Sequence, residues 1–117
     1  MANYFVALEN GDPIGVADSY HPEAASIGGR GALETFGRAQ MIERYQWLHE
    51  SPPGDLWWTQ VDHDVLGPDA VLTTGIIGWL DPQNAADTLL ISYTGLVVRT
   101  DYGWRIRHEH ESTGQAP

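Results

Sequence analysis

The chain has 117 residues, 42% of them apolar and five of them Trp, which suits one globular domain and leaves no room for two. Sixteen acidic side chains stand against six Arg and no Lys, a formal charge of −10, so phosphate backbones and anionic lipid are repelled and neither nucleic acid nor a membrane is an expected partner. No apolar run approaches the roughly 18 residues of a membrane span, the start lacks the basic segment of a secretory signal, and the absence of Cys excludes disulfides, thiol catalysis and Cys-ligated zinc; a cytoplasmic protein is expected.

Residues Asn3 to Glu9 carry Tyr4, Phe5 and Leu8 at helical spacing, and Asn10-Gly11-Asp12-Pro13 stops that helix and caps the next, with Asp12 as N-cap and Pro13 in the first turn. The second helix is expected over Ile14 to Tyr20, ended by His21-Pro22. Ala24 to Gly37 holds four Gly and reads as irregular, with one short strand around Ala25 to Ile27. Arg38 to His49 places Met41, Ile42, Tyr45 and Leu48 on one face of an amphipathic helix. Four strands follow: Leu56 to Val65, Ala70 to Leu80, Thr88 to Thr100 and Trp104 to Glu111, with turns at Leu66-Gly67-Pro68-Asp69, Asp81-Pro82-Gln83-Asn84 and Asp101-Tyr102-Gly103. Helices first and an antiparallel meander second predicts an α+β fold, a single domain over 1–112 with a frayed tail over 113–117.

Alternation along the last strand puts Trp104, Ile106, His108 and His110 on one face and Arg105, Arg107, Glu109 and Glu111 on the other. The face with Trp104 and Ile106 is the apolar one, so it is expected to be buried and to carry His108 and His110 inward, about 6.6 Å apart. Trp57 and Trp58 are adjacent and cannot both face inward; Trp58 is taken as the pocket residue. The same alternation groups Asp62 and Asp64 with Trp58 and Gln60, and His63 with Val61 and Val65. Leu89 to Val98 is apolar on both sides, which predicts that one sheet face meets the helices and the other a second copy of the chain, a homodimer.

Four segments in this order resemble the SnoaL-like branch of the nuclear transport factor 2-like superfamily: Ala7-Leu8-Glu9-Asn10-Gly11-Asp12, Tyr20-His21-Pro22-Glu23-Ala24, Phe36-Gly37-Arg38, and Gly103-Trp104-Arg105-Ile106-Arg107-His108-Glu109-His110-Glu111-Ser112. The resemblance implies a cone of three N-terminal helices on a curved antiparallel sheet, a pocket between them, frequent dimerisation through the sheet, and activities such as polyketide cyclisation, isomerisation, dehydration and epoxide hydrolysis. In the similar ketosteroid isomerases an Asp base works with a Tyr and a protonated Asp. Counting from Gly11-Asp12, Tyr4 falls at the Tyr position, while the base position falls at Gly28 and, counting back from Gly103, the second donor falls at Gly95. Those two departures argue against that mechanism; the related scytalone dehydratases, which work with Tyr and His, are nearer to this composition.

The expected function is therefore cofactor-free acid/base chemistry (cyclisation, isomerisation or dehydration) on an apolar, oxygenated small molecule, the alternative being a non-catalytic ligand-binding or assembly module of the same fold. His108 and His110 are the candidate acid/base groups, Tyr4 and Tyr20 the candidate hydrogen-bond donors, and Trp58, His63 and Trp104 the candidate ligand-binding residues. A chelating role for His108 and His110 with Asp62-His63-Asp64 is a weaker reading, and neither a metal nor an organic cofactor is expected.

Overall fold

The computed structural model of the protein describes residues 2–22, 25–29, 32–81 and 88–113. Helix α1, Ala2–Glu9, buries Tyr4, Phe5, Ala7 and Leu8. Its exit turns at Gly11, whose φ of 64° and close approach to the Leu48 carbonyl oxygen, 2.8 Å from where a Cβ would stand, leave room only for glycine. Asp12 then caps α2, Pro13–Ala17, by accepting from the Gly15 N–H at 3.1 Å, with Pro13 in the first turn as the sequence predicts. The helix stops three residues before the expected Tyr20 because the chain is drawn off onto the last strand. The Ile106 N–H donates to the Ser19 carbonyl at 2.7 Å and the His21 N–H to the Ile106 carbonyl at 2.8 Å, which fixes Tyr20 beside Ile106.

The glycine-rich stretch is more regular than its composition suggests. It forms an antiparallel hairpin, β1 (Ala25–Gly29) and β2 (Ala32–Phe36), and β1 lies parallel to the last strand. Helix α3, Arg38–Arg44, ends at Tyr45 and the chain continues as a 3-10 turn over Gln46–His49, where the sequence predicts one helix to His49. The meander β3 (Leu56–Gly67), β4 (Ala70–Leu80), β5 (Thr88–Thr100) and β6 (Gly103–Thr113) completes a curved six-stranded sheet in the order β2-β1-β6-β5-β4-β3. The helices cover one of its faces. Phe5 packs on Trp58 at 5.3 Å between ring centres, and Val16, Met41, Leu48, Ile77, Ile91, Tyr93 and Ile106 fill the layer between. Residues 82–87, which include all but Asp81 of the expected turn, and 114–117 of the expected 113–117 tail lie outside the described residues, as does Arg30; Thr113 ends β6.

Two irregularities reset which side chains face the helices. In β3, Trp58 pairs with Ile77 and Gln60 with Ile76, so Thr59 is an extra residue; in β6, Ile106 pairs with Val97 and His108 with Leu96, so Arg107 is extra. A bulge inserts one residue and breaks strict alternation. After the first, Val61 and His63 join the face of Trp58, and Asp62 and Asp64 turn to the other, the reverse of the simple alternation.

Directly across from Glu109 on β5 stands Gly95. The Tyr93 ring folds down over it, with the hydroxyl only 2.5 Å from where a Cβ of residue 95 would be. Gly95→Ala is therefore expected to displace Tyr93 and to cost about 1–3 kcal/mol, the usual range for overpacking a filled core. Urea denaturation checks this, and an unchanged midpoint would mean that the ring is not seated on the glycine.

Candidate active site

The inward face of β6 carries Glu109 and Glu111, not His108 and His110. Trp104 and Ile106 do share a face as expected, but the extra residue at Arg107 places the next inward position at Glu109. Glu109 is fully buried, at 0% exposure, and Glu111 partly so, while His108 and His110 are exposed on the opposite face. The inward placement of the two histidines is thus corrected by one bulge. A segment in which Ile106 is the only apolar residue between Trp104 and the end of the strand offered no hydrophobic phase to reveal it.

Four tyrosines converge on this carboxyl pair. Tyr4 comes from α1, Tyr20 from the segment stitched to Ile106, Tyr45 from the end of α3 and Tyr93 from β5, and all four are buried. The Tyr20 hydroxyl donates to Glu109 Oε1 in a short hydrogen bond. It also lies 3.4 Å from the hydroxyls of Tyr4 and Tyr45, and the Tyr4 hydroxyl donates to Glu111 Oε1 at 3.4 Å. The rings support one another: Tyr4 and Tyr20 meet edge to face at 5.9 Å, and Trp58 meets Tyr93 edge to face at 5.7 Å. Sequence reasoning named Tyr4, Tyr20 and Trp58 and missed Tyr45, Tyr93 and both glutamates.

Two buried polar atoms in this cluster have no hydrogen-bond partner, the Tyr93 hydroxyl and Glu109 Oε2. The Tyr93 hydroxyl still acts on the Glu109 carboxyl as a weak hydrogen-bond donor, in a contact that falls short of good geometry. A buried donor and acceptor held in so loose a contact would gain from a third oxygen that hydrogen-bonds to both.

Burial, and after it the neighbouring Glu111 charge, pushes the Glu109 carboxyl up to about 8, against partial relief from the Tyr20 and Tyr93 hydroxyls and from the Arg44 cation. Glu111 is raised as well, by burial. The same burial, together with the Glu109 charge, holds all four tyrosines well above their ordinary range, so they remain neutral donors. A carboxyl raised to about 8 holds its proton at neutral pH and can still give it up and take it back.

The remaining expected residues lie outside this cluster. His63 sits on the Trp58 face, but at the exposed end of β3, where its Nδ1 meets Thr73 Oγ1 at 2.9 Å. Trp104 is 42% exposed and packs under the Arg99 guanidinium at 5.3 Å. Among the described residues no three His, Asp or Glu side chains gather as a metal-binding group, and no helix is long and apolar enough to cross a membrane.

Solved structures of similar shape cover almost the whole chain. A nuclear transport factor 2-like protein of unknown function from Shewanella oneidensis superposes with a TM-score of 0.80 at 22% identity, over 95% of this chain and 91% of its own. A candidate dehydratase of the nuclear transport factor 2-like family from Streptomyces avermitilis gives 0.78 at 20% identity, over 98% and 91%. A ketosteroid isomerase-like protein from Erwinia carotovora atroseptica gives 0.73 at 15% identity, over 98% and 91%. The chain has the nuclear transport factor 2-like fold. No protein-family profile matches the sequence, and no curated protein matches it. Within the nuclear transport factor 2-like fold of this chain, the tyrosine and glutamate cluster occupies the space between the helices and the sheet.

The raised Glu109 carboxyl sets the pH dependence of stability. Its folded pKa, about 8, lies above the ordinary value of 4.5, so between these the folded state holds more proton than the unfolded chain. Its stabilising contribution is complete below about pH 4.5 and is lost as pH rises through about 8. Glu109→Gln, which cannot ionise, is expected to flatten this fall and to be more stable than the unsubstituted protein above pH 8. Parallel melting curves from pH 5 to 9 check it; two curves that fall together would place the titration elsewhere.

Proposed function

We propose that this protein catalyses cofactor-free acid/base chemistry (a cyclisation, isomerisation or dehydration) on an apolar, oxygenated small molecule, with Glu109 as the group that gives and takes the proton. The observation that carries the proposal is a fully buried carboxyl, pushed up to about 8 among four tyrosine hydroxyls, with one of its oxygens and the Tyr93 hydroxyl short of good hydrogen-bond geometry. Perturbed titration in a water-excluded cluster is a recurring mark of proton-transfer sites.

In this reading a substrate oxygen sits between Tyr93 and Glu109 Oε2 and satisfies both. Glu109 takes a proton from one substrate atom and returns it to another, or hands its own proton to a departing hydroxyl and regains one from the adjacent carbon; either way the carboxyl ends as it began. Tyr20 holds Glu109 Oε1 and leaves Oε2 to react. Phe5 and Trp58 supply the apolar wall. The isomerase-like and candidate-dehydratase structures of the same fold support the reaction class. His108 and His110, on the outer face, take no part in this step, and neither do His63 and Trp104.

We further propose that the protein acts in the cytoplasm as a homodimer joined through the outer sheet face, where Trp57 and Leu90 are 38% and 52% exposed. Light scattering at micromolar concentration should return twice 12.9 kDa; a monomer would contradict it.

The test of function begins with mass spectrometry of small molecules that co-purify with the protein, followed by turnover of the compound identified. Positioned proton transfer contributes roughly 10²–10⁴-fold, so Glu109→Gln should lose at least about a hundredfold while His108→Gln retains its activity. Full activity in folded Glu109→Gln would overturn the assignment. Tyr4→Phe should leave the fold intact and weaken ligand binding or turnover, by about 0.5–1.5 kcal/mol for one hydroxyl. Lowered thermal stability with unchanged affinity would make that hydroxyl structural.

A further inference from the structure

Glu111 is a second inward carboxyl that the proposed reaction does not use. It lies two residues beyond Glu109 on the same face, partly exposed where Glu109 is sealed. Between the two runs an unbroken series of hydroxyls: Glu109 Oε1 meets the Tyr20 hydroxyl, Tyr20 lies 3.4 Å from the Tyr4 hydroxyl, and Tyr4 lies 3.4 Å from Glu111 Oε1. Every group in this series can donate and accept a proton. Glu111, though burial raises its carboxyl too, is the end that keeps some exposed surface.

We propose that Glu111 is the port through which Glu109 exchanges its proton with solvent, by way of the Tyr20 and Tyr4 hydroxyls. The inference rests on Glu109 being the acid/base group argued above, and it explains how a carboxyl with no exposed surface recovers its working protonation state. In the outward direction the Glu109 proton stands on Oε1 and the Tyr20 hydroxyl turns its own hydrogen from Oε1 to Tyr4; the Oε1–H bond then breaks as the proton passes to Tyr20. The Tyr20 proton passes to Tyr4 and the Tyr4 proton to the Glu111 carboxylate. Three O–H bonds break and three form, Glu109 is left ionised and Glu111 protonated, and Glu111 releases the proton to water. The two 3.4 Å links exceed a resting O–H···O bond of about 2.7–2.8 Å, so each hop follows a momentary closing of the oxygens.

The surroundings allow few other routes. Among the described residues, the groups that act on Glu109 are Tyr4 of α1, Tyr20, Tyr45 and Arg44 at the end of α3, Tyr93 of β5, and Glu111. The Tyr93 hydroxyl meets Glu109 itself, loosely, and leads to no second hydroxyl among the described hydrogen bonds. The Tyr45 hydroxyl makes its hydrogen bonds with Tyr20 and Tyr4 and acts on Glu111 through charge alone. Among the described hydrogen bonds Tyr4 is the hydroxyl that reaches Glu111.

The experiment needs no substrate. Protein equilibrated in ordinary water at pH 6 is mixed rapidly with D2O buffer, and the carboxylic C=O stretch is followed by infrared spectroscopy as COOH becomes COOD. The Glu109 band is the one that Glu109→Gln removes. Without the relay, exchange must wait for local opening of the fold, so Tyr4→Phe and Glu111→Gln should each slow the band shift at least about tenfold, whereas Tyr45→Phe should leave it within about twofold. Loss of stability would speed opening, so slowing cannot arise from a weakened fold. A Glu109 band that shifts as fast in folded Tyr4→Phe as in the unsubstituted protein would overturn the relay while leaving the acid/base proposal standing. Equal slowing in Tyr45→Phe would also overturn the relay. If Glu109→Gln removes no band, Glu109 is not a protonated acid at pH 6, and both proposals fail together.

Discussion

A carboxyl group with no exposed surface is the constraint around which this molecule is arranged. Placing Glu109 on the inward face of β6 removes it from water, and a buried carboxyl must either be paired or hold its proton. Arg44 acts on it as a cation but does not restore its ordinary titration. The protein supplies hydroxyls instead, from a helix, from a loop stitched to β6, from the end of a second helix and from the neighbouring strand. Neutral hydroxyls stabilise either state of the carboxyl without fixing one of them, the condition a group needs if it is to change state repeatedly.

Each hydroxyl is delivered by a local feature whose physical basis is plain. Tyr4 shares the buried stripe of α1 with Phe5 and Leu8. Tyr20 is set by two backbone hydrogen bonds to Ile106, which end α2 early and turn the ring toward Glu109. Tyr45 stands where α3 gives way to a 3-10 turn. Tyr93 reaches across to Glu109 only because residue 95 has no side chain. The site is therefore built from the joints of the fold as much as from its regular elements, and the glycine that breaks with the isomerase pattern at residue 95 is what admits the Tyr93 hydroxyl.

Helix and strand positions were legible in the sequence because apolar periodicity and turn residues carry them. The Asp12 cap followed by Pro13, the run Ala70–Leu80 and the run Thr88–Thr100 stand where the pattern puts them. The β1 and β2 hairpin was obscured by glycine, whose permissiveness says nothing about which allowed conformation a neighbouring strand will impose. The site was half legible. Tyr4 and Tyr20 were found through their place on apolar stripes. Glu109 was missed because alternation is a local rule and a bulge is settled by the partner strand: only the pairing of Ile106 with Val97 and His108 with Leu96 shows that Arg107 is extra. The same failure at Thr59 reversed Asp62 and His63. In β6 a charged run after Ile106 left the phase of the strand unmarked, and in β3 only the pairing shows that Val61 shares the face of Trp58.

The most direct measurement of the central claim is the titration of Glu109 itself, followed through its side-chain carboxyl carbon by NMR with the resonance assigned from Glu109→Gln. A midpoint near pH 8, with a second inflection from the neighbouring Glu111, is the predicted result. A midpoint at the ordinary carboxylate value of about 4.5 would contradict it, because Glu109 would then be a solvated, ionised side chain and the cluster of tyrosines around it no more than packing.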